Sequence, residues 1–318
     1  MEGAAGVGVA AMEFTLNIPN TPFDLSHTLD SGQAFRWTQQ GGWWQGYIQG
    51  EMVRVRQEGD SLFCVSGDEH LTPEAVHEYF RLDDGIERIY SKIMKDDHIT
   101  EAIQRYYGLH LIHQEVWECL ISFVIATNTN IPRIRLMISN LCQRFGKRET
   151  FEGSGYSVFP RPEPLADASV EELASCGLGY RARFVKSVAE KVQSGTVDLE
   201  ELKLADYQRA REMLVERLGE KTFLGIGPKA ADCVLLFSCW KDEAFPIDVW
   251  MARVLARYYP GLFDKDVAKR LGAHVSNETR LSGGVYERIS ASMREYFGQY
   301  AGYAQQYLFH DARKSGLD

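Results

Sequence analysis

Thr222-Phe223-Leu224-Gly225-Ile226-Gly227-Pro228-Lys229-Ala230-Ala231-Asp232-Cys233 is the stretch that decides the reading of this 318-residue chain. One helical pattern ends near Leu218 and another starts at Pro228. Proline suits the first helical position, where the N–H it lacks would have no intrahelical acceptor. Two glycines flanking one aliphatic residue make a tight turn, with Ile226 plugged between two helices. The spacing predicts a tight turn between two helices over 222–239. Its Gly225 and Gly227 N–H groups lie beside a helix N-terminus, a natural cradle for phosphate. Taken alone, the pattern reads first as a plain helix corner with a solvated lysine. Further on, Ala244-Phe245-Pro246-Ile247-Asp248-Val249-Trp250 places Asp248 just before an apolar-periodic helix. Asp248 can serve there as an N-cap, and its carboxylate can also face a cationic transition state.

Around this stretch the chain divides by texture. Residues 12–66 read as strands: Met52 to Arg56 and Ser61 to Val65 alternate, and Gly41-Gly42, Gly50 and Gly59-Asp60 punctuate them. They predict an antiparallel meander preceded by one helix near 24–30. Beyond Gly67 the periodicity is helical nearly to the end. Thr72-Pro73-Glu74 is a helix start; 116–126 is apolar almost all round and reads as a buried central helix. Residues 131–145 and 180–193 are amphipathic, Ser169-Val170-Glu171-Glu172 is a capping box, and Gly195 closes the second of these helices. The expected fold is α+β. An N-terminal antiparallel β-sheet domain with its following helices (12–115) precedes a mainly helical domain (116–318), whose C-terminal helices cover 283–313. Residues 1–11 read as a loose tail.

Hydrophobic residues make up 45% and aromatics 12%, which excludes disorder as the main state. The longest strongly apolar run, 120–126, is far short of the ~20 residues a membrane span needs. The N-terminus has no Lys or Arg before an apolar run, so it does not read as a signal peptide. The six cysteines contain no C-x2-C pair and read as reduced thiols of a cytosolic protein, with neither zinc nor an iron–sulfur cluster expected. Net charge is −9, but two stretches are locally basic. Residues 128–148 carry Arg133, Arg135, Arg144, Lys147 and Arg148 with no acid, and 177–191 carry Arg181, Arg183, Lys186 and Lys191 against Glu190. Such stretches can hold a phosphate backbone.

The pairing of 224–233 with 245–250 resembles the helix-hairpin-helix DNA glycosylases that have a Gly/Pro-rich loop and an aspartate. Within that superfamily it is most similar to 8-oxoguanine DNA glycosylase/AP lyase. Four further stretches carry the resemblance in family order: Ser31-Gly32-Gln33-Ala34-Phe35-Arg36-Trp37, Asn128-Thr129-Asn130-Ile131-Pro132-Arg133, Leu178-Gly179-Tyr180-Arg181-Ala182-Arg183 and Gly302-Tyr303-Ala304-Gln305-Gln306-Tyr307-Leu308-Phe309.

The resemblance implies that Lys229 captures C1′ as a Schiff base, allowing β-elimination, while Asp248 stabilises the developing positive charge. An ordinary lysine is almost entirely charged at neutral pH, so Lys229 needs partial desolvation or neighbouring cations. The resemblance puts the Gly32 carbonyl on N7–H of the flipped base and Gln305 on its Watson–Crick edge, with Phe309 and Cys233 against its two faces. Without the other motifs, Gly32 reads as a plain turn, and Phe309 and Cys233 as core packing. Asn128 would fill the vacated stack and Tyr180 would wedge into it. Arg133 and Arg181 would read the orphan cytosine, the bland alternative being phosphate contact.

Three departures stand out: Thr129 replaces the middle of three asparagines common in relatives, Trp250 a histidine and Tyr303 a tryptophan. No metal or cofactor is expected, the partner is double-stranded DNA with a damaged base, and a cytoplasmic monomer (nuclear in a eukaryote) is expected. Two rival readings stay open. A monofunctional alkyl-purine glycosylase would keep base excision in Lys229→Gln, and a noncatalytic DNA-binding module would tolerate Asp248→Asn.

Overall fold

The computed structural model describes residues 12–67, 71–217, 226–276, 278 and 281–316. The hairpin tip, including Gly225, and the N-terminal 1–11 segment lie outside the described residues.

Strands β1 (Met12–Asn17), β2 (Thr38–Gln40), β3 (Trp43–Ile48), β4 (Glu51–Glu58) and β5 (Ser61–Ser66) form one antiparallel sheet in the order β1-β5-β4-β3-β2. The alternation in β4 has its expected effect. Val53 and Val55 are buried, while Arg54 and Arg56 lie over the outer Trp43 ring, 5.4 and 4.8 Å from its centroid. The helix Leu25–Asp30 is capped by Asp24, whose carboxylate accepts from His27 N–H at 2.7 Å. It precedes the β2–β5 meander as the sequence suggests. β1, however, comes before the helix and closes on β5, with Met12 opposite Ser66, a long-range pairing that local alternation does not announce. Gly46 has a steric reason: a Cβ there would sit 2.2 Å from the Trp37 ring. Trp37 is fully buried beneath the sheet and donates to Tyr79 OH at 2.7 Å.

The helical part follows its capping signals. Thr72 accepts from Ala75 N–H with Pro73 at N1, and Ser169 and Glu172 exchange both bonds of the capping box. The helix Arg181–Gln193 ends at Ser194, followed by Gly195 at φ 72°. The helix Val116–Ile125 is buried nearly all round and runs through the centre. Burying one of its large apolar side chains contributes about 1.5–3 kcal/mol. The buried residues of Ile86–Ile93 and Asp97–Arg105 join this same core, although they precede residue 116.

One element departs from continuous helical texture. β6 (Arg148–Phe151) and β7 (Ser154–Ser157) form a hairpin. Its two-residue turn, Glu152-Gly153, has φ of 48° and 75°, the geometry that matches strand twist. Glu-Gly is a weaker turn signal than Asn-Gly or Asp-Gly, and the strands are short.

Candidate active site

The loop after Leu25–Asp30 brings Gly32 to the cleft. Gly32 has φ +85°, and a Cβ there would lie 3.1 Å from an Arg313 nitrogen and 3.4 Å from the Phe309 ring. The positive φ therefore favours glycine there, and a side chain would crowd Arg313. Gln33 fixes the loop: its amide nitrogen donates to the carbonyls of Thr28 (3.2 Å) and His110 (2.8 Å), and its amide oxygen accepts from Ile112 N–H at 2.9 Å. Gln306 Nε2 donates to Ser31 O at 3.0 Å, tying the same loop to the helix Ala301–Ser315.

The helix Pro228–Ser238 begins with Gly227 as N-cap and Pro228 at N1, and it carries Lys229 and Cys233 one turn apart. Lys229 Nζ lies 5.2 Å from the centre of the Phe123 ring. The Cys233 thiol is pushed up to about 11 by burial, against which the neighbouring Lys229 ammonium works. Cys233 therefore faces the cleft as a neutral thiol. Asp248 caps the helix Val249–Tyr258, accepting from Met251 N–H at 2.9 Å. Burial lifts its carboxyl above the ordinary aspartate range, and the charge of Lys229 pulls it back. The N-cap reading thus holds, and the same side chain lines the cleft together with Lys229.

Gly32, Lys229, Cys233, Asp248, Gln305 and Phe309 all line one cleft of about 120 Å³, closed by Phe35, Phe123, Ile131, Ile134 and Phe237. Gln305 is 4% exposed, and its amide oxygen is buried with no hydrogen-bond partner among the described residues. An unpaired buried acceptor costs about 1–3 kcal/mol, so this one is poised for a donor from outside. A larger groove, about 660 Å³, lies between the sheet and the helix Ile131–Phe145 and holds none of these six residues, though Phe35 borders both.

The predicted DNA contacts divide into two kinds. Asn128 sits at φ 51° with Nδ2 3.5 Å from the hydroxyl of Tyr180, a half-exposed ring. The two side chains lie against each other. Arg133 is exposed on the first turn of Ile131–Phe145, and Gly227 is exposed with open space where a Cβ would point. Arg181 is different. It is 6% exposed, its Nε donates to Thr127 O at 2.9 Å, and its NH2 donates to Asn128 O at 3.1 Å. Here the guanidinium braces the Asn128 turn from beneath. Gly225 lies outside the described residues.

Residues 15–120 match the family model for 8-oxoguanine DNA glycosylase, N-terminal domain, and residues 121–272 match HhH-GPD superfamily base excision DNA repair protein. A solved structure of MBOgg1 in complex with a low-affinity DNA ligand is 31% identical, covers 96% of each chain and superposes with a TM-score of 0.79. The chain belongs to the 8-oxoguanine DNA glycosylase family. The Clostridium acetobutylicum 8-oxoguanine glycosylase/lyase, solved with double-stranded DNA containing cytosine opposite 8-oxoG, is 28% identical over 96% of this chain and 99% of its own, with a TM-score of 0.77. A curated relative from Methanothermobacter thermautotrophicus, named "Probable N-glycosylase/DNA lyase", is 29% identical over 95% of this chain and 97% of its own length.

Two site neighbours gain roles that the sequence does not show. Gln33 was visible only as part of a motif, and its anchoring role depends on distant carbonyls. Arg313 donates to Asp30 O, lies 5.8 Å from the Phe309 ring centre and approaches Gly32. Its position on the last helix reads as ordinary C-terminal charge.

Proposed function

We infer that this chain is a bifunctional DNA glycosylase/AP lyase that excises 8-oxoguanine opposite cytosine. The observation that carries this reading is the convergence of Lys229, Asp248 and an unpaired Gln305 acceptor on the cleft behind Gly32.

The target base leaves the stack, at a cost of a few kcal/mol, and enters the cleft. The Gly32 carbonyl accepts the N7–H that 8-oxoguanine has and guanine lacks. On guanine the same carbonyl would face a lone pair. Gln305 takes a donor from the base edge, with Phe309 and Cys233 against the faces. As the C1′–N9 bond breaks, its electron pair leaves with the base and C1′ becomes cationic. The Asp248 carboxylate stabilises that charge. Lys229 passes one ammonium proton to the departing base anion and its amine bonds to C1′; a second proton passes to O4′ as the sugar ring opens, leaving a protonated Schiff base. The Schiff base acidifies the C2′ proton. Its removal expels the 3′ phosphate, breaking C3′–O.

Asn128 and Tyr180 occupy the disrupted stack and Arg133 meets the acceptors of the orphan cytosine, while Arg181, committed to the Thr127 and Asn128 carbonyls, holds the Asn128 turn in place. The backbone at Gly225 and Gly227 holds phosphate. Residues 12–115 supply the Gly32 wall, and 116–318 carry the chemistry. The protein works as a monomer wherever its chromosome lies, the cytoplasm of a prokaryote or a nucleus.

Borohydride trapping on a duplex with one 8-oxoguanine opposite cytosine tests this. A covalent band on damaged DNA alone, absent in Lys229→Gln, is expected. No band but strand breaks after hot alkali would mean a monofunctional enzyme. Salt-sensitive binding without either signal would leave only a DNA-binding module.

A further inference from the structure

Asp232, next to Cys233 on the lysine-bearing helix, is fully buried. One of its oxygens accepts from Tyr207 OH and from Arg211 Nε, both at 2.8 Å. The other accepts from Tyr286 OH at 2.6 Å. Arg211 is held from its outer side by Glu287 at 2.7 Å. The Tyr286 oxygen in turn accepts from the N–H of Ile247 at 3.2 Å, the residue before Asp248. A phenol can donate once and accept at the same time, so one hydroxyl links two elements. A continuous path runs from the helix of Lys229, through Asp232 and Tyr286, to the backbone that carries Asp248. A buried ion pair is weak evidence for stability, since well-packed apolar groups often do as well. This one bridges the two elements whose spacing the reaction needs.

We propose that Asp232 and Tyr286 are positioning residues, which set the Asp248 carboxylate against the Lys229 amine by fixing the backbone at Ile247. The proposal rests on the roles given above to Lys229 and Asp248. Tyr207 binds the same carboxylate from the helix Tyr207–Glu212 and makes no contact with the 244–250 loop among the bonds seen. Tyr207→Phe is therefore the matched control for loss of one bond to Asp232.

The experiment compares single-turnover excision with affinity for a duplex bearing an uncleavable tetrahydrofuran abasic analogue, at a temperature where each variant is folded. Tyr286→Phe is expected to slow excision roughly ten- to a hundredfold, with Kd within about twofold of wild type, because misplacement of catalytic groups acts on the chemical step. Tyr207→Phe is expected to slow it less than about threefold. Equal slowing in both variants, or wild-type speed in Tyr286→Phe, overturns the positioning role. If Tyr286→Phe does not fold, Asp232→Asn, which keeps the volume, must show the same slow excision at unchanged affinity; its failure to do so is equally decisive. A wild-type protein without 8-oxoguanine excision overturns the functional reading itself, and the positioning role with it.

Discussion

Asp248 joins two roles with opposite energetic consequences. As a cap it satisfies Met251 N–H. As a half-buried carboxylate lining the cleft, with its pKa raised by loss of water, it costs stability whenever it is ionised. Because the folded value lies above the unfolded one, this cost is present at neutral pH and disappears as pH falls through the raised value. Asparagine caps a helix as well as aspartate and carries no charge. Asp248→Asn should therefore leave the Tm unchanged or raise it, while excision falls about 10²–10³-fold. Wild-type excision should fall on the acid side with a midpoint above the ordinary aspartate range, as the carboxylate is lost. Scanning fluorimetry and single-turnover rates check both; a Tm lowered by several degrees would contradict the stability half. Lys229 and Asp248 stand out in the sequence because they sit in short motifs with defined offsets. Gln33 and Arg313 do not, because the carbonyls and rings they serve come from distant segments.

At the scale of elements, the Asn128 turn shows how a site is built from beneath. Its left-handed residue is held by Arg181, which supplies donors to two successive carbonyls. Removing a buried charged donor of this kind costs about 2 kcal/mol. Arg181→Gln should lower the Tm by several degrees and weaken lesion binding through faster dissociation. Arg133→Gln, on an exposed first turn, should leave the Tm unchanged and reduce preference for cytosine. Thermal melts with dissociation rates on duplexes of each opposite base separate the two; equal Tm values would remove the bracing role. Helices were read nearly residue for residue where caps mark them: Ile131–Phe145 has Asn130 and a proline in its first turn, and Val249–Tyr258 has Asp248. The β6–β7 hairpin and the β1–β5 pairing escaped, the first because Glu-Gly is a weak turn signal, the second because register with β5 is set across the whole sheet.

Across the whole molecule, the two basic stretches are thinner than their sequence suggests. Arg144 pairs with Glu172 at 3.4 Å, Lys147 with Glu149, and Lys186 with Glu190 at 3.2 Å. Arg181 is buried, and the Nε of Arg135 is buried beside the larger groove. Arg133, Arg148 and Arg183 are exposed and outside these pairs, on a chain of net charge −9. Few cations are thus available to displace counterions, and binding must draw on base and stack contacts. Since log K falls with log salt by about 0.9 per neutralised phosphate, anisotropy titrations of an abasic-analogue duplex should give a slope of about −2 to −4. A slope near −8 would mean a broad phosphate footprint that these residues do not supply. The same titration divides the readings of Arg133. A reader of the orphan base leaves the slope of Arg133→Gln unchanged while cytosine preference drops, whereas a phosphate contact reduces the slope by about one at every opposite base.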